Sequence, residues 1–379
     1  MSKTTTATIT AREAAAILGV SPATLYSYVS RGLLASSSGS GVRAKRYAHD
    51  DVLRLAARRG DGKRAGHAVS AAMNWGVPVL ETRIAQIADG RLYYRGHDAC
   101  ALAEQATLEQ AAALLWQADQ GNASRGNCDA PLAHAAALPL APLPRAMALL
   151  PLVDAHASPI ALLRVTAAML LGTRASDAPL HRQAADAWGA GMAADVLRSA
   201  MVVLADHELN NSAFTVRCAA SSGAALPLVL CAGLAALSGP EHGGHYALAK
   251  AALLREAAAP GTVQIEPMTA GFGHPLYADG DIRATYLLDK LHAYDSKACA
   301  PFRALAARAG AIPQAQPNSD FALAALELVL RLPDGAALAL LAMARTAGWI
   351  AHALEQRADG RLIRPRARYV GAFNTAGAD

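Results

Sequence analysis

The residues best suited to chemistry in this 379-residue chain are histidines set among glycines or at the end of an apolar run. His207 stands in Ala205-Asp206-His207-Glu208-Leu209-Asn210, directly after apolar Met201 to Leu204. His242 lies in Gly239-Pro240-Glu241-His242-Gly243-Gly244-His245, and His274 in Gly271-Phe272-Gly273-His274-Pro275-Leu276-Tyr277, with Asp281-Ile282-Arg283 following. Asp320 falls in Gln316-Pro317-Asn318-Ser319-Asp320-Phe321, at an expected helix start. Imidazoles and carboxylates move protons, and the arginine fork pairs with carboxylates. Together these residues suit proton abstraction beside an anionic substrate. Glycines near the histidines would let that substrate approach the backbone. Singly, each has a plainer reading: a histidine after glycine is often a turn residue, and Asp320 serves as a helix cap.

No HExxH metal spacing, Walker loop, GxGxxG or GxSxG is present, so metal hydrolysis, nucleotide hydrolysis, dinucleotide redox chemistry and serine hydrolysis lose their usual warrants, and no metal is expected.

The elements that must position these residues are helical. Apolar residues make up 53% and aromatics only 5%, so the apolar share is mainly Ala and Leu, which favour helix over strand. From Ala68 onward, Ala/Leu segments punctuated by Gly and Pro read as a dozen or more helices. A short hairpin is expected at Glu81 to Ile84 and Gly90 to Arg95. Cys218 to Pro240 is long enough to span a bilayer, but Ser221, Ser222, Gly223 and Pro227 interrupt it, and a buried helix pair is the better reading. No membrane role is expected. The start lacks a signal-peptide core, and Cys100, Cys128, Cys218, Cys231 and Cys299 form no CxxC pair. Reduced thiols in the cytoplasm follow as the expectation.

Charge divides the chain. Residues 1–64 hold eleven Lys or Arg against four acids, while the remainder is nearly neutral. In this basic module Thr10 and Glu13 form a capping box, Gly19 ends the first helix, and Ser21 caps a second helix with Pro22 at its first position. Ser36 to Gly41 makes a flexible tip, Arg43 to Tyr47 a basic return strand, and Asp51 to Leu55 a third helix. The segment resembles the DNA-binding domains of the MerR and excisionase type. That resemblance implies a winged helix-turn-helix in which Ser21, Thr24 and Tyr28 face the duplex while Arg43, Lys45 and Arg46 neutralise phosphates. A docking domain that keeps the fold without binding DNA is the alternative. Residues 58–66 read as a hinge.

The order of motifs in the rest of the chain resembles citrate synthases, including 2-methylcitrate synthases. It enters at Val79-Leu80-Glu81-Thr82 and Asp89 to Gly96. The histidine and aspartate motifs quoted above follow, and Arg345-Thr346-Ala347-Gly348-Trp349 and Arg364-Pro365-Arg366 close it. The resemblance implies a mainly α fold with a large domain at 68–243 and 331–379, a small domain at 244–330 and the winged module before both. It implies an acyltransferase of the tricarboxylic acid cycle that condenses acetyl-CoA with oxaloacetate, with acyl-CoA as co-substrate and no permanent cofactor. Asp320 would be the base, His242 the partner of the enol oxygen and His274 the group polarising the keto carbonyl. His207, Arg283, Arg345 and Arg364 would hold oxaloacetate, Arg364 from the neighbouring subunit of a homodimer.

The chain departs from the family pattern where coenzyme A would sit. Ala278 stands where a base is usual, and Ile312-Pro313-Gln314-Ala315-Gln316 carries none. His245 and Tyr246 replace a small residue and Asn. About thirty-five residues separate Gly172 from Asp206, a short interval for the family. Two other functions stay open: a DNA-binding regulator whose large module senses a metabolite, and a synthase using propionyl-CoA.

Overall fold

The computed structural model describes residues 8–18, 20–30, 34–38, 45–48, 51–52, 55, 80–117, 138–367 and 369–371. The chain separates into two compact units, Met1–Glu81 and Thr82–Asp379.

In the first unit, β1 (Thr8–Thr10) leads into α1 (Ala11–Leu18) and α2 (Pro22–Ser30), followed by β2 (Ser37–Ser38) and β3 (Lys45–Ala48). The expected capping box forms: Thr10 N–H donates to Glu13 Oε2 at 2.8 Å, and Glu13 N–H to Thr10 Oγ1 at 3.3 Å. Ser21 Oγ accepts from Thr24 N–H at 3.2 Å and so caps α2. A three-stranded antiparallel sheet, in the order β1-β3-β2, completes the winged form. Ser37 and Ser38, expected in a flexible tip, pair with Arg46 and Lys45 instead, because the return strand offers them a ladder. Ala14, Ala15, Leu18, Leu25, Leu34, Tyr47 and Val52 form this unit's own small core. Gly19, Arg43 and the 58–66 hinge lie outside the described residues.

The second unit opens on an antiparallel sheet of β4 (Ala85–Ala88), β5 (Arg91–Tyr94) and β6 (His97–Asp98). The hairpin is real, but its first strand lies at Ala85–Ala88 rather than at 81–84. Asp89 and Gly90, with φ of 50° and 71°, make the two-residue turn that pairs Ala88 with Arg91 and thereby sets the register. Helices follow: α3 (Ala99–Gln105), α4 (Leu108–Trp116), α5 (Pro142–Leu149), α6 (Pro159–Leu171), α7 (Leu180–Ala187), α8 (Ala194–Val203), α9 (Asn211–Ser221), α10 (Leu226–Leu237), α11 (His245–Ala258), α12 (Ile282–Tyr294), α13 (Ser296–Gly310), α14 (Ser319–Val329) and α15 (Ala336–Asp359). The apolar stretch from Cys218 falls across α9 and α10, broken by a turn at Gly223 (φ 82°). Helix α15 runs through the core and is long and apolar enough to cross a membrane, but 89% of its apolar window is buried inside the protein. Cys100, Cys218, Cys231 and Cys299 are free thiols.

Candidate active site

Five segments of the second unit converge. The loop after α8 carries His207, and the turn between α10 and α11 carries His242. The irregular run before α12 carries His274 and Tyr277, and the first turn of α14 carries Asp320. Helix α15 contributes Arg345 and Trp349.

Backbone hydrogen bonds hold these loops in place. Gly273 N–H donates to Gln316 O at 2.8 Å, and Asn318 N–H to Gly271 O at 3.0 Å, so the His274 run lies against the segment leading to Asp320. Asn318 caps α14, accepting from Asp320 N–H at 3.0 Å, and its amide donates to Gly273 O at 3.0 Å. Asp281 caps α12, while its Oδ2 accepts from Ser319 N–H at 3.0 Å, which brings the starts of α12 and α14 together. Gly348 lets α15 approach the His207 loop; a Cβ there would lie 2.3 Å from Asp206 Oδ1. The glycines after His242 do not open space for a substrate as the sequence led one to expect. A Cβ on Gly243 would lie 2.4 Å from Leu237 O, so that room is already filled by protein.

The three histidines are electrically alike. Burial, with the nearby Arg283 and Arg345, holds His207 well below the ordinary imidazole range. Burial brings His242 down to about 4, with Arg345 and His245 adding to the effect. Burial and Arg283 bring His274 to about 4 as well. All three are therefore neutral near pH 7, each carrying one N–H. His274 Nδ1 accepts from Leu276 N–H at 3.2 Å, which leaves its proton on Nε2. His242 Nε2 lies 3.0 Å from Ser212 Oγ, to which Trp349 Nε1–H also donates at 3.2 Å.

Asp320 moves the other way. Burial raises its carboxyl to about 6, against the lowering influence of His245, Arg283 and Arg345. A carboxylate that resists ionisation is a stronger base once ionised. Arg283 is 1% exposed; its Nε and Nη2 donate to the Asp281 carboxylate at 2.9 and 2.6 Å. Arg345 is 6% exposed, and its Nη1 has no hydrogen-bond partner. A buried cation with an orphan donor is costly unless an anion arrives. The set thus combines a base, three neutral imidazoles and two guanidinium groups.

Sequence reasoning placed His207, His242, His274, Asp320, Arg283 and Arg345 in this unit's site, and the structure brings them together. Arg364 is not among them; it lies exposed in the irregular segment after α15. Tyr277, Ser212, Trp349 and Asp281 were given no role from sequence. Tyr277 is 2% exposed and touches both His207 and His274, and its only sequence signal is its place in the run after His274. Lys250, on α11, is bound to Glu327 and Asp334. In the first unit, Lys45 and Arg46 are exposed, and Lys45 Nζ stands 5.7 Å from the Tyr26 ring centre. Ser21 is exposed but occupied as a cap, Thr24 is half-buried, and Tyr28 packs on the small core.

A family model described as citrate synthase, C-terminal domain, matches residues 72–193 and 179–366, and one described as helix-turn-helix domain matches 8–60. The citrate synthase of Haloferax volcanii is 33% identical over 195 residues, covering 47% of this chain and 50% of that protein. The chain spans about half the length of the curated relatives it matches. The crystal structure of citrate synthase from Thermotoga maritima superposes with a TM-score of 0.63 at 25% identity, covering 80% of this chain and 96% of that one. The fold is also that of citrate synthase from Thermoplasma acidophilum, solved as a ternary complex with carboxymethyl coenzyme A and oxaloacetate. That structure gives a TM-score of 0.63 at 21% identity over 80% of this chain and 96% of that one.

Proposed function

The chain belongs to the citrate synthase family, and from that premise we propose that its second unit condenses acetyl-CoA with oxaloacetate to citrate and free coenzyme A. The observation that carries this reading is Arg345, a buried guanidinium with an unpartnered Nη1, set among neutral imidazoles beside a carboxyl raised to about 6.

The chemistry follows from the residues. Asp320 removes a methyl proton from the thioester, a weak carbon acid that yields only if the enol oxygen is stabilised at the same moment. His242 gives that stabilisation through Nδ1–H, its Nε2 accepting from Ser212 Oγ once that hydroxyl turns away from Asn210 Oδ1. The enol carbon attacks the keto group of oxaloacetate, which His274 polarises through its Nε2–H. Arg345 and the remaining nitrogen of Arg283 take the carboxylates with His207, and Arg364 of the partner subunit completes the clamp in a homodimer. Water then cleaves the citryl thioester. Residues 244–330 act as a small domain closing on a large one formed by 68–243 and 331–379, which expels water before enolisation. Acyl-CoA is a co-substrate, and the enzyme works in the cytoplasm within the tricarboxylic acid cycle.

The test is release of free thiol from acetyl-CoA or propionyl-CoA with oxaloacetate. Faster release from propionyl-CoA would make the chain a 2-methylcitrate synthase; no release from either would reject catalysis.

A second reading rests on the first unit. Its helix-turn-helix and the exposed Lys45 and Arg46 of β3 suit duplex DNA. Residues 1–64, with Ser21, Thr24, Tyr28 and Arg43 as further contacts, would bind phosphates, and the second unit would supply the metabolite signal. Retained DNA binding in a protein without turnover would favour this reading.

A further inference from the structure

We propose that Tyr277 is a positioning residue that fixes the tautomer of His207, so that this imidazole offers an Nδ1–H to the dicarboxylate; the proposal rests on the condensation reading above. Tyr277 Oη lies 3.0 Å from His207 Nε2, and both residues are buried, at 2% and 6% exposure. Burial pushes the phenol well above its ordinary range, so it keeps its proton. A neutral imidazole carries one N–H, and two arrangements of this contact are possible. If His207 Nε2–H donates to the phenol oxygen, the phenol proton is left without an acceptor among the described contacts, at a cost of the kind that buried donors avoid. If the phenol donates to Nε2, the imidazole proton stands on Nδ1, where the dicarboxylate of the condensation reading is its acceptor, so that with substrate bound both protons are used.

The surrounding rings hold that choice. Tyr277 lies 5.7 Å from the His207 ring and 5.1 Å from the His274 ring, while the two imidazoles meet edge to face at 5.1 Å and 89°. The guanidinium of Arg283 sits over the phenol ring, 5.4 Å from its centre. One side chain therefore contacts three groups of the proposed substrate clamp, and only its hydroxyl distinguishes the two ends of His207. The consequence is chemical. An Nδ1 lone pair would repel a carboxylate or keto oxygen, whereas an Nδ1–H attracts it without adding a charge beside two buried guanidinium groups. Leu276 N–H fixes His274 in the opposite sense, with the proton on Nε2. The short run from His274 to Tyr277 thus sets the proton positions of two imidazoles.

The experiment uses the full-length protein with ¹⁵N-labelled histidine, the His207 signals being assigned by their loss in His207→Gln. The expected result is a protonated Nδ1 and a lone-pair Nε2, with population moving to Nε2–H in Tyr277→Phe. That variant keeps the ring, so the KM for oxaloacetate should rise about tenfold, the loss of one hydrogen bond, while the KM for acetyl-CoA stays unchanged. Tyr277→Leu, which removes ring and hydroxyl together, should raise the oxaloacetate KM further. A parent enzyme with the proton on Nε2, or a Tyr277→Phe enzyme with unchanged tautomer and unchanged oxaloacetate affinity by calorimetry, would overturn the proposal. The tautomer and calorimetric readouts need no turnover, so a protein without condensing activity would reject the proposed function while the role of Tyr277 is still decided by them.

Discussion

Asp320→Asn should make this protein more stable at neutral pH while abolishing condensation. The folded carboxyl is raised from 3.8 to about 6, chiefly by burial. For an acid whose folded pKa is raised, the sign is fixed: its favourable contribution is present below 3.8 and is lost as pH rises to about 6, leaving a cost above that. About two units correspond to roughly 3 kcal/mol. Asparagine removes that cost but gives up a carboxylate in the first turn of α14, worth about 0.5–1 kcal/mol against the helix dipole. The net gain near neutrality is therefore roughly 2 kcal/mol, or about 4 °C in Tm for a unit of this size. Near pH 4 the carboxyl is protonated in the fold, and the gain should shrink below about 1 kcal/mol. Thermal and urea unfolding of parent and variant at the two pH values give the comparison, with thiol release recorded in parallel. In the parent, kcat/KM should rise with pH through about 6, because Asp320 must be ionised to act as a base. A variant that is less stable than the parent at neutral pH, or that turns over as fast, would refute the reasoning.

Arg345→Lys should raise the KM for oxaloacetate at least about tenfold with little change for acetyl-CoA, because a point charge replaces a buried planar fork; equal oxaloacetate affinity by calorimetry would contradict this. Ala278→Lys should lower the KM for acetyl-CoA, and since position 278 is exposed, the gain should fade as salt rises. The full chain should bind duplex DNA with a steep salt dependence, and Lys45→Ala and Arg46→Ala should each reduce the log–log slope by about one. A mobility shift showing no binding at low salt would leave the first unit as a docking domain.

What the sequence determined is local or serial. The Thr10–Glu13 capping box, the Ser21 cap and the Asp89-Gly90 turn each involve residues within a few positions of one another, so their chemistry is readable in the chain. The order of the His207, His242, His274, Asp320 and Arg345 motifs sufficed to recognise the family, because serial order survives without knowledge of contacts. The tertiary structure decided who meets whom. His242 and Ser212 are 30 residues apart, Tyr277 and His207 70, and Trp349 and Ser212 137. No local rule pairs residues at such separations. The same holds for the use of charges: the commitment of Lys250 to Glu327 and Asp334 and the unpartnered Nη1 of Arg345 appear only once helices pack, and the local Asp281–Arg283 pair becomes buried only then. The protonation of His242, His274 and Asp320 also belongs to the fold, because it is burial, a property of the packed chain, that removes the water on which a charged group depends.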